Sequence, residues 1–251
     1  MGRLEKRVAV LTGGAKGIGR AYARGLAREG ADVAIVDIDR AAAEKVAEEV
    51  RGLGRRALAI ECDVTNRAAV NAMGQRVIDE FGAIHALVNN AGVYPLQPWT
   101  EIEEDEWDRV LAINLKSCFL CARAVYAAMK RQGYGKIVNI SSDVVVIGTP
   151  MILHYVSAKA GVIGFTRALA REAGPDGIRV NAILPGLTVT DTVMRSLGDS
   201  DEYFNRIVER QCIPGREQPE DLVGAMLYFC SPESDFVTGQ ALAVNGGFNM
   251  W

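Results

Sequence analysis

Histidine and cysteine are scarce. The only histidines are His85 and His154, and the five cysteines, at 62, 118, 121, 212 and 230, are odd in number and scattered. That pattern excludes the paired framework of a disulfide-stapled domain. Cys118 and Cys121 form a CxxC, but no second cysteine pair accompanies it and only two histidines exist, so no zinc ligand set is available. Buried thiols are expected, and no metal. Basic excess is also missing: 28 Lys and Arg stand against 31 Asp and Glu, a net charge of −3, which leaves nothing to hold a nucleic-acid backbone. No uninterrupted apolar run approaches the ~20 residues of a membrane span. The opening MGRLEKRVAV passes into an apolar strand pattern without the organisation of a cleavable signal. A soluble cytoplasmic protein is expected, with a small molecule as partner and neither nucleic acid nor membrane. Prolines number only 8 while 26 glycines are spread along the chain, which suits tight connections between regular elements and not a flexible linker.

What is present is ordinary core-forming material, 49% hydrophobic and 24% charged residues in 251. That length suits one large α/β unit. Short apolar runs recur at Arg7 to Thr12, Asp32 to Asp37, Ala57 to Cys62, Ile84 to Asn89, Lys136 to Ser141, Arg179 to Leu184 and Gln240 to Val244. Helical periodicity lies between them, as in AYARGLAREG, AAAEKVAEEV, Asp105 to Lys130 and VSAKAGVIGFTRALAREAG. Continuous apolar strands alternating with helices indicate a parallel sheet covered on both faces. The expected fold is therefore α/β: a doubly wound, seven-stranded parallel sheet of Rossmann type, one domain over residues 1–251. Gly52 or Gly54 stops the second helix, and Gly174-Pro175 stops the sixth. The stretch from Thr188 to Pro219 breaks the rhythm after a strand end, where open α/β sheets bind ligands, and is read as a flap over the site at about 188–218.

Two constellations carry chemistry. TGGAKGIG, Thr12 to Gly19, joins the first strand to a helix; its glycines permit close backbone approach, and the helix N-terminus attracts a pyrophosphate. The spacing departs from G-x-G-x-x-G, and such a turn alone can be purely structural. Asp37, ending the second strand roughly 20 residues on, is placed to accept ribose hydroxyls. In the second constellation, Tyr155 and Lys159 stand at i and i+4, hence on one helical face, and Ser142 ends a strand. A phenol with an ordinary pKa near ~10 is a poor base unless a cation stabilises its phenolate, and Lys159 can supply that cation.

Together with Asp63-Val64, the NNAG run Asn89 to Gly92, Asn114, the NISS run ending in Ser142, Pro185-Gly186 and the TGQALAVNGG tail, these motifs resemble the compact short-chain dehydrogenases/reductases over essentially the whole chain. The resemblance implies Tyr155 as acid/base, Lys159 as modulator of its pKa and ligand of the nicotinamide ribose, Ser142 as the group orienting the substrate oxygen, and Asn114 as holder of a relay water. It implies a dinucleotide site at Gly13, Lys16, Gly17, Ile18, Gly19, Asp37, Ile38, Asp63, Val64, Asn90, Ala91, Gly92, Tyr155, Lys159, Pro185, Gly186, Thr188 and Thr190. Asn89 would mainly stabilise the sheet. Substrate would meet Tyr94, Ser142, Val144, Ile152, Tyr155, Leu187 and Met194. With Val93, Leu96, Trp99, Val145 and Val193, these make an apolar, partly aromatic pocket, and no arginine cluster awaits an anion there, Arg195 being read as solvated.

The leading expectation is an NAD-dependent enzyme interconverting a secondary alcohol and a ketone. NNAGVYPLQPW and GVIGFTRALARE are similar to members acting on aryl or cyclic alcohols, 1-phenylethanol dehydrogenases among them. An NADPH-dependent 3-oxoacyl reductase and a dinucleotide-sensing regulator are the alternatives; a regulator has no need of a proton relay. Two residues disagree on the cofactor. Lys16 could attract an NADP 2′-phosphate, whereas Asp37 would repel it, and at ~4 Å and an effective dielectric near ~20 unit charges interact by about 4 kcal/mol before solvent reduces it. Lys16 can turn to water and Asp37 cannot easily withdraw, so NAD is expected. The family habit of pairing subunits through its fourth and sixth crossover helices, here Asp105 to Arg131 and Val156 to Gly174, and its last strand implies a homotetramer. Met250 and Trp251 at the terminus agree with a covering partner.

Overall fold

Five consecutive buried residues, Val8–Thr12, form β1, and they divide their side chains between two cores. Ala9 and Leu11 face one cluster and Val8 and Val10 the other, as a strand covered on both faces requires. The computed structural model describes residues 2–197 and 201–250. After β1 come α1 (Gly17–Arg28), β2 (Asp32–Asp37), α2 (Arg40–Gly52), β3 (Ala57–Glu61), α3 (Arg67–Phe81) and β4 (Ala86–Asn89). Then follow α4 (Glu104–Leu111), α5 (Ser117–Gln132), β5 (Gly135–Ile140), α6 (Val144–Ile147), α7 (Leu153–Ala173), β6 (Ile178–Pro185), α8 (Asp191–Leu197), α9 (Asp201–Val208), α10 (Val223–Cys230) and β7 (Ala241–Val244). The seven strands lie in the order β3-β2-β1-β4-β5-β6-β7, and every ladder is parallel. The chain thus winds outward one way from β1 and the other way from β4, which opens a crevice at their carboxyl ends.

On one face α1, α2 and α10 pack through Tyr22, Leu26, Val46, Val50, Met226 and Phe229. On the other, α3 and α5 pack through Val70, Met73, Val77, Leu120, Val125 and Met129. Cys118 and Cys121 are buried free thiols, and Cys121 packs in that second layer. Helices α4 and α5 run on as one helix through a π-helical turn at Ala112–Lys116. Where the sequence led us to expect no apolar span, Glu104–Gln132 is long and apolar enough by length and composition to cross a membrane, with a mean hydropathy of 1.4 in its most apolar window. Here Leu120, Cys121, Ala122, Val125 and Met129 of α5 pack into the layer against the sheet, while Phe119 stays 43% exposed. Helix α7 ends at Ala173, and Pro175 lies in the short 3-10 turn that follows.

The irregular stretch after β6 becomes two short helices, α8 and α9, joined by residues 198–200, which fall outside the described residues, as does Trp251.

Candidate active site

The loop after β1 is shaped by contacts that exclude side chains. Gly13 has φ +62°, and a Cβ there would stand 2.8 Å from the Ala91 Cα; one at Gly19 would stand 2.0 Å from the Gly13 carbonyl oxygen. The end of β4 clamps this loop: Asn90 Nδ2 donates to the Thr12 and Gly13 carbonyls at 3.2 and 2.8 Å, and Thr12 Oγ1 accepts from the Asn90 and Ala91 amides. Asn89 points elsewhere, donating to Asn139 Oδ1 at 2.9 Å across β4 and β5, which is the sheet-stabilising place expected of it.

A cleft of about 490 Å³ runs along the loop. Gly13, Lys16, Gly17, Ile18 and Gly19 form its floor, Asp37, Ile38, Asp63 and Val64 one end, and Asn90, Ala91, Gly92 and Thr190 the other. Asp37 ends β2 with its carboxylate accepting from the Ala15 and Asp39 amides, both at 3.1 Å. Lys16 is already engaged: its Nζ lies 2.9 Å from Asp39 Oδ2. The Ala42 amide and then Lys16 hold the Asp39 carboxyl below its ordinary value. Arg195 and Arg109 also line this cleft.

An adjoining cavity of about 260 Å³ shares Ile18, Asn90, Gly92, Tyr94 and Thr190 with the cleft and brings Ser142, Tyr155 and Lys159 together, with Pro185, Gly186 and Thr188 on its far wall. Ser142 is buried just beyond β5. Lys159 sits one turn after Tyr155 on α7; its Nζ donates to the Ile140 carbonyl at 2.7 Å and lies 5.5 Å from the Tyr155 ring centroid. The Tyr94 ring meets Tyr155 edge-on at 5.9 Å. Asn114 is fixed in the π-helical turn, its Nδ2 donating to the Val93 and Val110 carbonyls, each at 2.9 Å. Gly92 joins these groups, because a Cβ there would stand 2.7 Å from Asn114 Oδ1 and 3.5 Å from Lys159 Nζ.

Electrostatics depart from the expectation that Lys159 lowers the Tyr155 pKa. Burial raises the phenol, with Tyr94 and Asp143 adding to the rise and Ser142 opposing it. Burial also brings the Lys159 ammonium down to about 8. With its Nζ turned to a main-chain carbonyl, Lys159 does not offset the desolvation of the phenol.

Tyr94, Val144, Ile152 and Leu187 line the cavity as expected. Met194 does not. Its neighbour Val193 does, because one residue along a helix rotates the side chain by about 100°. Helices α8 and α9, which lie in the stretch read as a flap, contribute Val193, Tyr203 and Ile207 to the cavity wall. Sequence reasoning missed Asp143, Ile147, Thr149, Tyr203, Ile207 and Phe248 in this cavity and Arg109 in the cleft. Asp143, next to Ser142 at a strand end, carried a readable signal; Phe248 reaches the wall only through tertiary folding.

The profile of a family described as enoyl-(acyl carrier protein) reductase matches residues 13–249. The chain is 41% identical to a probable galactose dehydrogenase of Rhizobium meliloti, covering 97% of this chain and 95% of that protein. It is 40% identical to the (2S)-[(R)-hydroxy(phenyl)methyl]succinyl-CoA dehydrogenase subunit BbsD of Thauera aromatica, over 99% and 98% of the two chains. Among solved structures, a putative short-chain alcohol dehydrogenase of Sinorhizobium meliloti superposes with a TM-score of 0.94 at 32% identity, covering 98% and 97%. The chain belongs to the short-chain dehydrogenase/reductase family.

Members of this family are oxidoreductases that use a nicotinamide dinucleotide. The cleft fits such a cofactor on its own geometry. Gly13, Gly17 and Gly19 present no side chains to it, the α1 N-terminus opens onto it, Asp37 lines it, and the cavity that holds Tyr155 and Lys159 adjoins it.

Proposed function

We propose that this chain is an NAD-dependent oxidoreductase that interconverts a secondary alcohol and a ketone on an apolar, aromatic or cyclic substrate. One observation carries the reading: Ser142, Tyr155 and Lys159 line one largely apolar cavity that opens directly into the glycine-floored cleft. The dinucleotide, when bound, supplies the hydride acceptor or donor. Tyr155 moves the proton at the substrate oxygen, Ser142 orients that oxygen, and Lys159 holds the ribose and, with Asn114, connects the phenol to solvent. Gly13, Gly17, Ile18, Gly19, Ile38, Asp63, Val64, Asn90, Ala91 and Gly92 hold the dinucleotide along the cleft, with Pro185, Gly186, Thr188 and Thr190 at its nicotinamide end.

Asp37 supports NAD. Its carboxylate is fixed by two main-chain amides at the ribose end, and the competing cation Lys16 is paired with Asp39. A 7α-hydroxysteroid dehydrogenase solved with NADH, 33% identical with a TM-score of 0.94, is similar in fold, and BbsD acts on a phenyl-bearing alcohol. Similarity to the 3-oxoacyl-[acyl-carrier-protein] reductase FabG of Staphylococcus aureus, 37% identical over 96% of this chain, supports the second reading, a reductase of acyl carriers using NADPH. Five free cysteines suit a cytoplasmic enzyme, and the family habit of pairing subunits suits a homotetramer. The deciding experiment follows absorbance at the nicotinamide band, with NAD and NADP against a panel of secondary alcohols and with NADH and NADPH against ketones and a 3-oxoacyl thioester. Oxidation of aryl or cyclic alcohols with NAD is expected; exclusive reduction of the thioester with NADPH would replace this reading with the second.

A further inference from the structure

Asp143 lines the catalytic cavity, and the chemistry proposed above gives it no task. It follows Ser142 directly, its amide donates to the Pro185 carbonyl at 3.0 Å, and only 4% of the residue is exposed. A carboxylate so placed needs donors in exchange for its lost water. It has two, both from the chain's last turns: Asn245 Nδ2 and Asn249 Nδ2, each 3.3 Å away and both on Oδ2. Among the described residues no donor reaches Oδ1. Burial accordingly pushes this carboxyl up to about 6 against the pull of the two amides.

The ionisable groups around it give no relief. Lys159 Nζ is held by the Ile140 carbonyl, Glu217 is a second buried acid that Asp143 disfavours, and the Tyr155 phenol is pushed upward by Asp143. As a tie between the cavity loop and the chain end, an amide would serve without the desolvation. A carboxylate with one oxygen held and one left over is better suited to accept one hydrogen bond from a bound molecule. That acceptor fits a hydroxyl: a substrate ammonium needs several acceptors, and here only one oxygen is left over. Ser142 and Asp143 are consecutive and line the same cavity, so a hydroxyl close to the reacting carbinol is the one within reach of Asp143.

We propose that Asp143 selects substrates bearing a second hydroxyl beside the reacting carbinol, so that the preferred substrates are apolar or aromatic 1,2-diols and the matching α-hydroxy ketones. The proposal rests on the alcohol-oxidising reading above; the second hydroxyl takes no part in the oxidation. The test compares 1-phenyl-1,2-ethanediol with 1-phenylethanol in the unaltered protein, in Asp143→Val and in Asp143→Asn. The unaltered protein is expected to favour the diol at least tenfold in kcat/KM. Asp143→Val should lose that preference through the KM for the diol and leave the KM for 1-phenylethanol within threefold, while Asp143→Asn, which keeps an acceptor oxygen, retains part of it. Because removing the carboxylate also relieves the Tyr155 phenol, the ratio between the two probes is the readout. Equal kcat/KM for the two probes in the unaltered protein, or an equal loss on both in Asp143→Val, overturns the proposal. Absence of turnover with both probes and with the wider alcohol panel overturns the functional reading instead; calorimetric binding of the two probes to the unaltered and Asp143→Val proteins then decides Asp143, with equal affinities counting against it.

Discussion

Tyr155 and Lys159 are one turn apart, yet burial drives their protonation in opposite directions, the phenol up and the ammonium down to about 8. Both shifts favour the neutral form, the state in which Tyr155 gives its proton to a ketone oxygen, and alcohol oxidation runs the same transfer in reverse. On the proposed mechanism, Tyr155→Phe removes the proton donor and little binding surface. It should lower kcat by at least ~10³-fold and leave cofactor affinity, measured by fluorescence titration, nearly unchanged. Lys159→Ala should harm both quantities. Near-normal turnover by the phenylalanine variant would exclude Tyr155 as the proton-transfer group. Asp37 invites a second test at this scale. With its carboxylate pinned by the Ala15 and Asp39 amides it cannot swing away from a 2′-phosphate, and the Lys16 ammonium is paired with Asp39. We expect kcat/KM to favour NAD over NADP by at least ~10-fold, about 1.4 kcal/mol, and Asp37→Ala to narrow the gap. Equal use of both cofactors by the unaltered enzyme would count against this assignment.

Elements were far more legible in the sequence than the couplings between them. Asp32–Asp37 was readable to the residue as a strand because burial on both faces leaves an unbroken apolar run between two acids. The π-helical turn at Ala112–Lys116 was not, since one extra residue in a long helix leaves no trace in periodicity, and it is this turn that seats Asn114. Val193 and Met194 were both read as facing the pocket and only Val193 does, a one-residue rotation that helical text cannot resolve. The Ser142, Tyr155 and Lys159 set was readable from spacing, but the direction of the Tyr155 shift depended on where Lys159 Nζ points, which only packing decides. Glu217 was invisible for a related reason. It comes from the end of the flap, yet its carboxylate accepts from Thr188 Oγ1 at 2.5 Å and from the Gly186 amide at 3.2 Å, tying the flap's two ends together. Burial, the largest influence, lifts that carboxyl from 4.5 to about 7. Between those values the folded protein keeps a proton that the unfolded chain has released, so this stabilising contribution is complete below pH 4.5 and is lost as pH rises through 7. Glu217→Gln should remove that part of the slope. In urea denaturation the variant is expected to gain on the unaltered protein by roughly 1–3 kcal/mol between pH 5 and pH 8, and a gain in the opposite sense would show that the carboxylate itself stabilises the flap. The glycine loop makes a simpler demand: a Cβ at Gly19 would stand 2.0 Å from the Gly13 carbonyl oxygen, so Gly19→Ala should weaken dinucleotide binding at least ~10-fold and lower the melting temperature together, and unchanged values of both would refute the geometry.

At the scale of the whole molecule, one chain leaves small-residue and apolar positions exposed on α5, α7 and β7. Along α7 the exposed positions Ala160, Gly164 and Ala168 fall at i, i+4 and i+8, a stripe of small residues on one side of the helix. A Cβ at Gly164 would meet nothing within 4 Å, so the stripe is open space and not a tight internal fit. On α5, Phe119 is 43% exposed and Ala127 is exposed beyond it, while the edge strand β7 pairs, among the described residues, with β6 alone and leaves Leu242 41% exposed. Small residues let a second helix approach closely, and a short, unpaired edge strand with an apolar side chain is a hazard unless something covers it. A second copy of the chain, related by a two-fold axis, would cover each face with itself, and two different faces used in this way close a tetramer. Phe119 and Leu242 are already more than half buried, so covering the remainder contributes about 1 kcal/mol each, and subunits held together at micromolar concentration need many such contacts along both faces. We therefore expect sedimentation to give about four times the 27.1 kDa of the chain. Because Ala168 and Phe119 are exposed within one chain, Ala168→Arg and Phe119→Glu should reduce the assembly to smaller species while circular dichroism stays unchanged. A stable monomer in the unaltered protein would leave these faces without the partner argued for them, and intact tetramers of both variants would move the interfaces elsewhere on the surface.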